Sequence, residues 1–523
     1  MTTPTSTRDR QRTLRAPQRS RPVAMRAVGG RVRSLYRRIP RAGRICFLIG
    51  FINAAIWTVV VPPFQVPDEI AHFAYAQYLA EVGKPPPQTP TSPYSPEEEA
   101  TLDQLDFFSV IGRPQLRGIT TRVEDEALRR ELSSHLSPVS TGGSSSQSNE
   151  PPLYYGLVDI PYLISPWHEI LARLALMRLL SALLAGGTVL AVYLFLRELL
   201  PQSPWSWTVG ALVVAFQPTF DFISAGVQAE NLLVFVAAVT FLLLLRAYRH
   251  GLTYRRALFL GAVIAAGTLS KLTYIAFLPG IGLALLLLLW RSLPQGHKRA
   301  LGMFCSAIAV AALPVIAYGV LNIVVWHRGG FTANGIAAAT NSHVGSGQPV
   351  TLHETLDYIW QLYLPKLPFM NHEYFPHEYP LLTVWLNGFI GHFGWLDYTF
   401  PAWVYTAARW IFLGLLVLAV GGFVRMLDRF RELWPMLACF CVIGAGLLGA
   451  IGYVGIRYQV STGDLFAQAR YLLPLLVFYA TFVVLASCGA GRRLARPLAA
   501  VLVLLAMTHG LFAETLTISR YYG

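Results

Sequence analysis

The chain has 523 residues, of which 54% are hydrophobic and only 13% are charged, and its mean hydropathy is +0.46. Soluble proteins average about 25% charged residues, so this composition excludes a soluble globular protein. Apolar runs of about 20 residues, the length that crosses roughly 30 Å of hydrocarbon, recur along the chain. They predict an all-α polytopic membrane protein.

Residues 1–44 form a basic arm that supplies much of the formal net charge of +14, with thirteen arginines against one acid, Asp9. The arm is rich in Pro, Ser, Thr and Gly and cannot bury a core, so we predict a disordered cytoplasmic segment. Nucleic-acid binding would favour interleaved aromatic residues, and Tyr36 is the only one. We therefore favour contact with anionic membrane lipid and no nucleic-acid partner.

The remaining residues, 45–523, are predicted to form one transmembrane domain of about eleven spans. The run Ile45–Phe64 has full spanning length and is interpreted as an uncleaved first span. The other predicted spans are Leu171–Leu196, Trp205–Phe220, Leu232–Leu245, Ala257–Leu269, Thr273–Trp290, Leu301–Val325, Trp403–Val424, Trp434–Tyr453, Tyr471–Ser487 and Ala499–Phe512. Basic residues gather in alternate loops, which places the N-terminus in the cytoplasm.

Two outer segments, residues 65–166 and 326–401, are too long to be simple connectors. The first is predicted to carry short helices at Asp68–Val82, Pro96–Asp106 and Val123–Leu136. The second contains the apolar stretch Leu381–Leu396, which is interpreted as a re-entrant or interfacial segment or a further span. All five cysteines fall in or at the ends of spans, so no disulfide framework is implied.

The acidic pair Asp68–Glu69 directly follows the first span, at the start of a predicted helix. Pro67 suits a first helical turn, and Gly83 ends the pattern. The apolar residues of this helix recur at helical spacing, as expected for a helix on the membrane surface.

Three interpretations of the pair compete. In the first, the two acids cap the helix. In the second, Glu69-x-x-His72 binds a metal, although no second such motif is present. In the third, Asp68 is an outward-facing base.

Several cations lie at predicted outer ends of spans, where the positive-inside rule does not place them. They are Arg173, Arg178, Lys271, Arg470 and Arg457. Any one of them could snorkel to the interface without a function. Together they indicate an anion, and arginine suits a lipid phosphate through bidentate hydrogen bonds.

The second outer segment repeats His-Glu-Tyr within residues His372–Tyr379, and tryptophans follow. Aromatic rings suit sugars, and the His and Glu side chains could bind a divalent cation. The simpler interpretation is an amphipathic loop whose aromatic residues lie at headgroup level.

These motifs together resemble a family of predicted, uncharacterised bacterial membrane proteins that is similar to the GT-C superfamily of lipid-linked glycosyltransferases. The matching motifs, in chain order, are Val66-Pro67-Asp68-Glu69-x-x-His72-Phe73, Pro151-Pro152-Leu153-Tyr154-Tyr155, Arg178-x-x-Ser181, Ser270-Lys271 and Ala469-Arg470-Tyr471-x-x-Pro474. The chain departs from this pattern at Glu230, where Asp is expected, and at Ala469, where Gly is common.

The resemblance implies a GT-C-like bundle that takes sugar from a polyprenyl-phosphate carrier. It implies Asp68 as the catalytic base and Glu69 as its partner. The substrate-binding residues that it implies are His72, Arg178, Lys271, Arg470 and Tyr471. The three cations among them would bind the carrier phosphate. The role of Glu230 stays open, and no metal ligand is assigned.

We therefore expect an inverting glycosyltransferase of the plasma membrane, with its active site on the outer face. Its acceptor would be a glycan, a lipid or a protein. A transporter or flippase for lipid-linked glycans is the main alternative, but transporters usually carry charges or broken helices at mid-span. A glycan polymerase or ligase is the second alternative, which would share the cations without using the acidic pair.

Overall fold

The computed structural model of the protein describes residues 39–87, 94–119, 121–134, 136–140, 146–328 and 350–523. The predicted disorder of the basic arm therefore lies almost wholly outside the described residues. The first ten helices are α1 (Arg41–Val60), α2 (Glu69–Val82), α3 (Pro96–Gln104), α4 (Phe107–Val110), α5 (Arg122–Leu132), α6 (Leu153–Ile164), α7 (Ile170–Leu199), α8 (Pro204–Ala215), α9 (Pro218–Ser224) and α10 (Ala229–His250).

The second half of the chain is also helical. It contains α11 (Tyr254–Thr268), a first 3-10 segment (Leu272–Phe277), α12 (Leu278–Ser292), α13 (His297–Val320), α14 (Leu352–Tyr363), α15 (Asn387–Gly391), α16 (Ala402–Arg425), α17 (Leu427–Thr462), a second 3-10 segment (Ala469–Leu475), α18 (Leu476–Gly489) and α19 (Ala495–Tyr522). The short strands β1 (His392–Phe393) and β2 (Tyr398–Thr399) pair antiparallel, with His392 opposite Thr399.

Nine helical segments in the described part of the chain are long and apolar enough to cross a membrane. They are Arg41–Val60, Ile170–Leu199, Ala229–His250, Leu272–Gln295, His297–Val325, Ala402–Arg425, Leu427–Thr462, Ala469–Gly489 and Ala495–Tyr522. Each overlaps a predicted span, which confirms the all-α polytopic class. The two other predicted spans form α8 and α11, helices of 12 and 15 residues. Both are shorter than the roughly 20 residues that a full crossing needs.

The outer segments differ from the prediction mainly in burial. Helix α2 begins one residue later than expected, and every residue from Glu69 to Tyr78 is buried in the protein. The prediction that it lies on the membrane surface is therefore wrong. Residues Leu381–Gly391 form an 11-residue π- and α-helical segment, too short for a further span.

Helices α1 and α7 approach each other closely because glycines face the contact. A Cβ atom on Gly186 would lie 2.9 Å from the Phe47 carbonyl oxygen, and one on Gly50 would lie 2.7 Å from Val189. Small residues allow membrane helices to pack backbone to backbone. This contact sets the span that precedes Asp68 against the span that carries Arg178.

Hydrogen bonds distinguish the two ends of the bundle. At one end, Arg429 donates to the Leu199 carbonyl at 2.8 Å, and Tyr248 donates to the Glu432 carbonyl at 3.1 Å. At the other end, Arg328 lies beyond the π-helical turn Leu321–Val325 that follows α13, and it donates to the Ser148 carbonyl of the first long loop. The acidic pair follows α1 and belongs to this second end.

The helix α19 ties the two long loops together beside the acidic pair. Arg520 forms a buried ion pair with Asp397 at 3.0 Å and donates to the Leu116 carbonyl at 2.6 Å. Trp395 of the second loop donates to the Phe64 carbonyl at 3.4 Å, four residues before Asp68. Both loops are therefore anchored close to the start of α2.

The charge distribution predicts that these two ends face opposite sides of the membrane. In a background without the native cysteines, Ser146→Cys should react with an impermeant maleimide on intact cells, because its loop is predicted to lie outside. Gln295→Cys is the matched control at the other end, since both positions are exposed, and it should react only after permeabilisation. The reverse pattern would overturn the orientation.

Candidate functional site

Asp68 connects the loop after α1 to α2 in an unusual backbone conformation. Its φ of 63° and ψ of 2° lie in the left-handed region, which non-glycine residues rarely adopt and which costs of order 1 kcal/mol or more. Its side chain makes no capping hydrogen bond to the helix. The capping interpretation is therefore wrong for Asp68, and the backbone instead aims its carboxylate away from α2.

The carboxylate of Asp68 is paired with Arg470, which arrives from the second 3-10 segment. The Arg470 Nη2 lies 2.5 Å from Asp68 Oδ2, and Nη1 donates to the Pro67 carbonyl at 3.4 Å. Burial raises the pKa of Asp68 most strongly, but the charge and hydrogen bond of Arg470, together with the electrostatic effect of His72, outweigh burial and hold that pKa below its ordinary value. The Asp68 side chain keeps 33% of its surface exposed, against 7% for Arg470. It is thus an ionised carboxylate with one accessible side.

Glu69 forms a separate ion pair that is fully enclosed. Arg178 donates to both of its carboxylate oxygens, at 2.8 and 2.5 Å, and the Val227 N–H donates to Oε1 at 2.9 Å. Arg178 also donates to the carbonyls of Val61 and Pro62, at 2.8 and 2.9 Å. Because these bonds occupy the guanidinium and Glu69 is inaccessible to solvent, the pair joins α1, α2 and α7 rather than facing a ligand.

His72 lies one turn into α2 and is also inaccessible. Its Nδ1 is 2.8 Å from the Tyr155 hydroxyl, and its Nε2 is 3.8 Å from a carboxylate oxygen of Glu230. Burial lowers the pKa of His72 to about 4, although the Glu230 charge opposes the shift. The imidazole is therefore neutral at pH 7, and the substrate contact expected for His72 is blocked in this arrangement.

Lys271 reaches the cluster from the turn before the first 3-10 segment. Its Nζ lies 2.5 Å from Glu230 Oε1, and its side chain is 11% exposed. Burial would lower the pKa of Lys271, but the carboxylates of Glu230 and Glu150 outweigh it and raise that pKa. Glu150 itself accepts the Leu272 N–H at 2.8 Å. Lys271 is therefore charged, and a small part of its side chain remains exposed to solvent.

The three ion pairs of the cluster balance each other in charge, and His72 is neutral. The carboxylate of Glu150 is a further acid that acts on Lys271. The ion pairs are Asp68–Arg470, Glu69–Arg178 and Glu230–Lys271. Pairing of this kind is what makes buried charges tolerable at the edge of a membrane. An incoming anion would share Arg470 and Lys271 with the carboxylates that already hold them.

Glu230 was the main residue whose partners sequence reasoning did not find. It lies in the first turn of α10 with its side chain buried, and it contacts both His72 and Lys271. The available signal was a single acid in the first turn of a long apolar run. The side chain of Gln228, two residues earlier, donates to the Pro67 carbonyl, and no sequence pattern marked it.

The other predicted residues lie beside this cluster or apart from it. Tyr471 packs against Phe466 and lies under the Arg470 guanidinium, 5.3 Å from it. Arg173 stacks over Tyr162 and lies 3.5 Å from Glu81, so its charge is used within the first loop.

The metal interpretation of Glu69 and His72 finds no support in the geometry. Glu69 is saturated by Arg178 and Val227. No group of three or more His, Cys, Asp or Glu side chains within the described residues could hold a metal ion. His372, Glu373, His377 and Glu378 of the repeated motif are exposed. The repeat is therefore a surface feature of the second loop.

The fold and this cluster define a polytopic helical membrane protein with a charged site at one end of its bundle. Residues 51–479 match the family described as "Predicted membrane protein (DUF2142)", and the chain belongs to that family. No curated protein matches the sequence.

Among solved structures, the chain is similar to the oligosaccharyltransferase AglB of Archaeoglobus fulgidus, in complex with an inhibitory peptide and a dolichol-phosphate. The identity is 15% and the TM-score 0.43, over 91% of this chain and 56% of AglB. It is also similar to the arabinosyltransferase EmbB of Mycobacterium smegmatis, at 12% identity and a TM-score of 0.38, over 98% of this chain and 43% of EmbB. The chain thus spans about half the length of these proteins.

Glu69→Gln should strongly destabilise the protein because it leaves the buried Arg178 without a countercharge. Breaking a buried pair in this way costs about 3–5 kcal/mol of the free energy of unfolding. The measurement is denaturant unfolding of purified protein in detergent. Glu126→Gln is the control, because its pair with Arg122 is exposed and should contribute little. Equal effects of the two variants would contradict the anchoring role.

The depressed pKa of His72 predicts acid sensitivity. Its pKa is 6.5 in the unfolded reference and about 4 in the folded protein, so the unfolded chain binds more protons between these values. The free energy of unfolding should therefore fall as pH drops from about 6.5 to about 4. His72→Gln should flatten this slope in melting curves recorded across the window, whereas the exposed His353→Gln should not. A slope that His72→Gln leaves unchanged would assign the effect to other groups.

Proposed function

We propose that the protein is an integral membrane glycosyltransferase of GT-C type. It would transfer a sugar from a polyprenyl-phosphate donor to an acceptor hydroxyl or amide on the outer face of the plasma membrane. The observation that carries this proposal is Asp68, an ionised and partly exposed carboxylate held in a strained conformation and paired with Arg470. A second cation, Lys271, belongs to the same cluster through Glu230. The motif resemblance given by the sequence supports the same chemistry.

The geometry around Asp68 suits a general base. Strained backbone at a polar site often marks a residue whose position is needed for function. Arg470 fixes one carboxylate oxygen, Oδ2, and leaves Oδ1 to accept a proton from the acceptor. Its lowered pKa makes Asp68 a weak base, so proton transfer must come late, when the acceptor is already bonding to the sugar.

The cations suit the departing phosphate. In the proposed step, an acceptor oxygen or nitrogen attacks the anomeric carbon, the bond from that carbon to the phosphate oxygen breaks, and the acceptor proton passes to Asp68. The transition state resembles an oxocarbenium ion, and a single displacement inverts the anomeric centre. Arg470 and Lys271 would stabilise the charge that grows on the polyprenyl phosphate, which is commonly a large part of catalysis.

The remaining predicted residues receive supporting roles in this proposal. Glu69 and Arg178 hold the loop that presents Asp68, so they are positioning residues rather than contacts of the sugar or phosphate. His72 supports Glu230 from the buried side, and Glu230 in turn orients Lys271. Tyr471 lies under Arg470 and would keep its guanidinium in place.

The cluster's location argues against the transporter alternative. The charged groups gather towards the ends of spans: Lys271 directly precedes the segment Leu272–Gln295, and Arg470 is the second residue of Ala469–Gly489. A flippase that carries a phosphate across the membrane would be expected to place such groups along its path. An enzyme that acts at a single membrane face needs its charged groups at one end of the helical bundle.

Asp68→Asn tests the proposal directly. Asn has the same size and tolerates the left-handed conformation, so expression and melting temperature should remain near those of the wild type. The transfer rate to acceptors in native membranes, measured with a radiolabelled polyprenyl-phosphate sugar, should fall by about 10² to 10⁴, the usual contribution of a positioned base. Asp106→Asn is a matched control, because Asp106 also has a positive φ before a short helix.

Lys271→Ala separates the phosphate contact from the base. It should raise KM for the donor by about tenfold to a hundredfold, as expected for a lost hydrogen bond to a charged group.

Wild-type transfer rates in Asp68→Asn would remove the base from this mechanism. Sugar-lipid translocation without transfer in reconstituted vesicles would replace the enzyme with a transporter.

A further inference from the structure

Arg470 is held less firmly by hydrogen bonds than two other buried arginines that pair with a carboxylate. Arg178 donates five hydrogen bonds, and Arg520 also donates five. Arg470 donates to Asp68 Oδ2 at 2.5 Å and to the Pro67 carbonyl at 3.4 Å, while its buried Nε has no hydrogen-bond partner within the described residues. The position of its guanidinium therefore depends on contacts of another kind.

Three aromatic rings, which we call the aromatic column, begin at this guanidinium. The ring of Tyr471 lies 5.3 Å from it, and the Tyr471 hydroxyl also contacts Arg470. Phe466 stacks on Tyr471, with ring centroids 5.2 Å apart and planes inclined by 25°. Tyr458 follows, 5.5 Å from Phe466. Because a cation is attracted to an aromatic face, the column supplies the restraint that the hydrogen bonds of Arg470 lack.

The far end of the aromatic column is fixed to a spanning helix. Tyr458 lies near the C-terminal end of α17, and the next residue, Gln459, donates to the Tyr374 carbonyl of the second outer segment at 3.2 Å. Gly463 ends α17 in the left-handed conformation, with φ at 81°. Phe466 then lies in the connection to the second 3-10 segment. Its ring therefore joins the end of α17 to the segment that carries Arg470.

The charged groups that act on the Asp68 carboxylate come from three elements. They are Arg470 of the second 3-10 segment, His72 of α2 and Glu230 of α10. His72 and Glu230 lie 3.8 Å apart and affect Asp68 in opposite directions. Arg470 alone among the three forms an ion pair with the carboxylate. Movement of its guanidinium is therefore the change that would most alter the charge state of Asp68.

We propose that Phe466 is a positioning residue for the proposed base. Its ring holds Tyr471, Tyr471 holds the Arg470 guanidinium, and the guanidinium keeps Asp68 ionised. Phe466 acts through these contacts rather than on the substrate. The link from Phe466 to Arg470 stands on the ring contacts alone, whereas the use of Asp68 as a base rests on the proposed function.

The test is the pH at which dicyclohexylcarbodiimide, an apolar reagent that adds to protonated carboxyl groups, labels Asp68 in the purified full chain. Labelling is measured by peptide mass spectrometry and needs no substrate. Phe466→Ala should move the midpoint of labelling at Asp68 to higher pH by about one unit, because a loosened Arg470 is a weaker countercharge. Since Asp68 would then be protonated at higher pH, the acid limb of the transfer rate should move in the same direction.

Three further variants separate the ring from its volume. Phe466→Tyr keeps the flat ring and should label as the wild type does. Phe466→Leu fills most of the space without a ring, and it should shift the midpoint as Phe466→Ala does. Phe423→Ala is the matched control, because Phe423 stacks on Phe430 at 5.1 Å far from Asp68, and it should leave the midpoint unchanged.

Two outcomes would overturn the positioning role. One is an unchanged midpoint in both Phe466→Ala and Phe466→Leu, even if Asp68→Asn abolishes transfer. The other is an equal shift in all three Phe466 variants, because the ring would then not be the cause. A shift confined to the variants without a ring supports the role, and it does so even if Asp68→Asn transfers sugar at the wild-type rate.

Discussion

The buried ion pair between Glu69 and Arg178 is the constraint on which the site depends. Charges at the membrane edge need a countercharge close by, and removing one partner leaves the other uncompensated. Since Arg178 also holds the carbonyls of Val61 and Pro62, it fixes the end of α1 relative to the start of α2. Asp68 lies between the end of α1 and the start of α2, and its left-handed backbone conformation connects the two helices. The position of the Asp68 carboxylate, the proposed base, thus depends on an ion pair that does not contact the substrate in this proposal.

The sequence predicted the membrane class, nine of the long spans and the residues of the cluster, because apolar length and lone charges are strong local signals. It did not predict that α8 and α11 would be short, since their apolar runs give no measure of where a helix ends. It also placed Arg178 with the phosphate ligands. Only the tertiary contact shows that Glu69 takes this arginine, and the pairing of His72 with Glu230 depends on residues far apart in the chain.

The ion pairs also differ in how many residues must be synthesised after each acid before its partner has been made. Spans are inserted broadly in the order of synthesis. Lys271 follows Glu230 by 41 residues, Arg178 follows Glu69 by 109, and Arg470 follows Asp68 by 402. The two acids that are most enclosed in the finished protein are therefore the first to be neutralised. Asp68, the acid whose side chain stays 33% exposed in the finished protein, gains its partner only when nearly the whole bundle has been made, so the part of the cluster that holds the proposed base is the last to be completed.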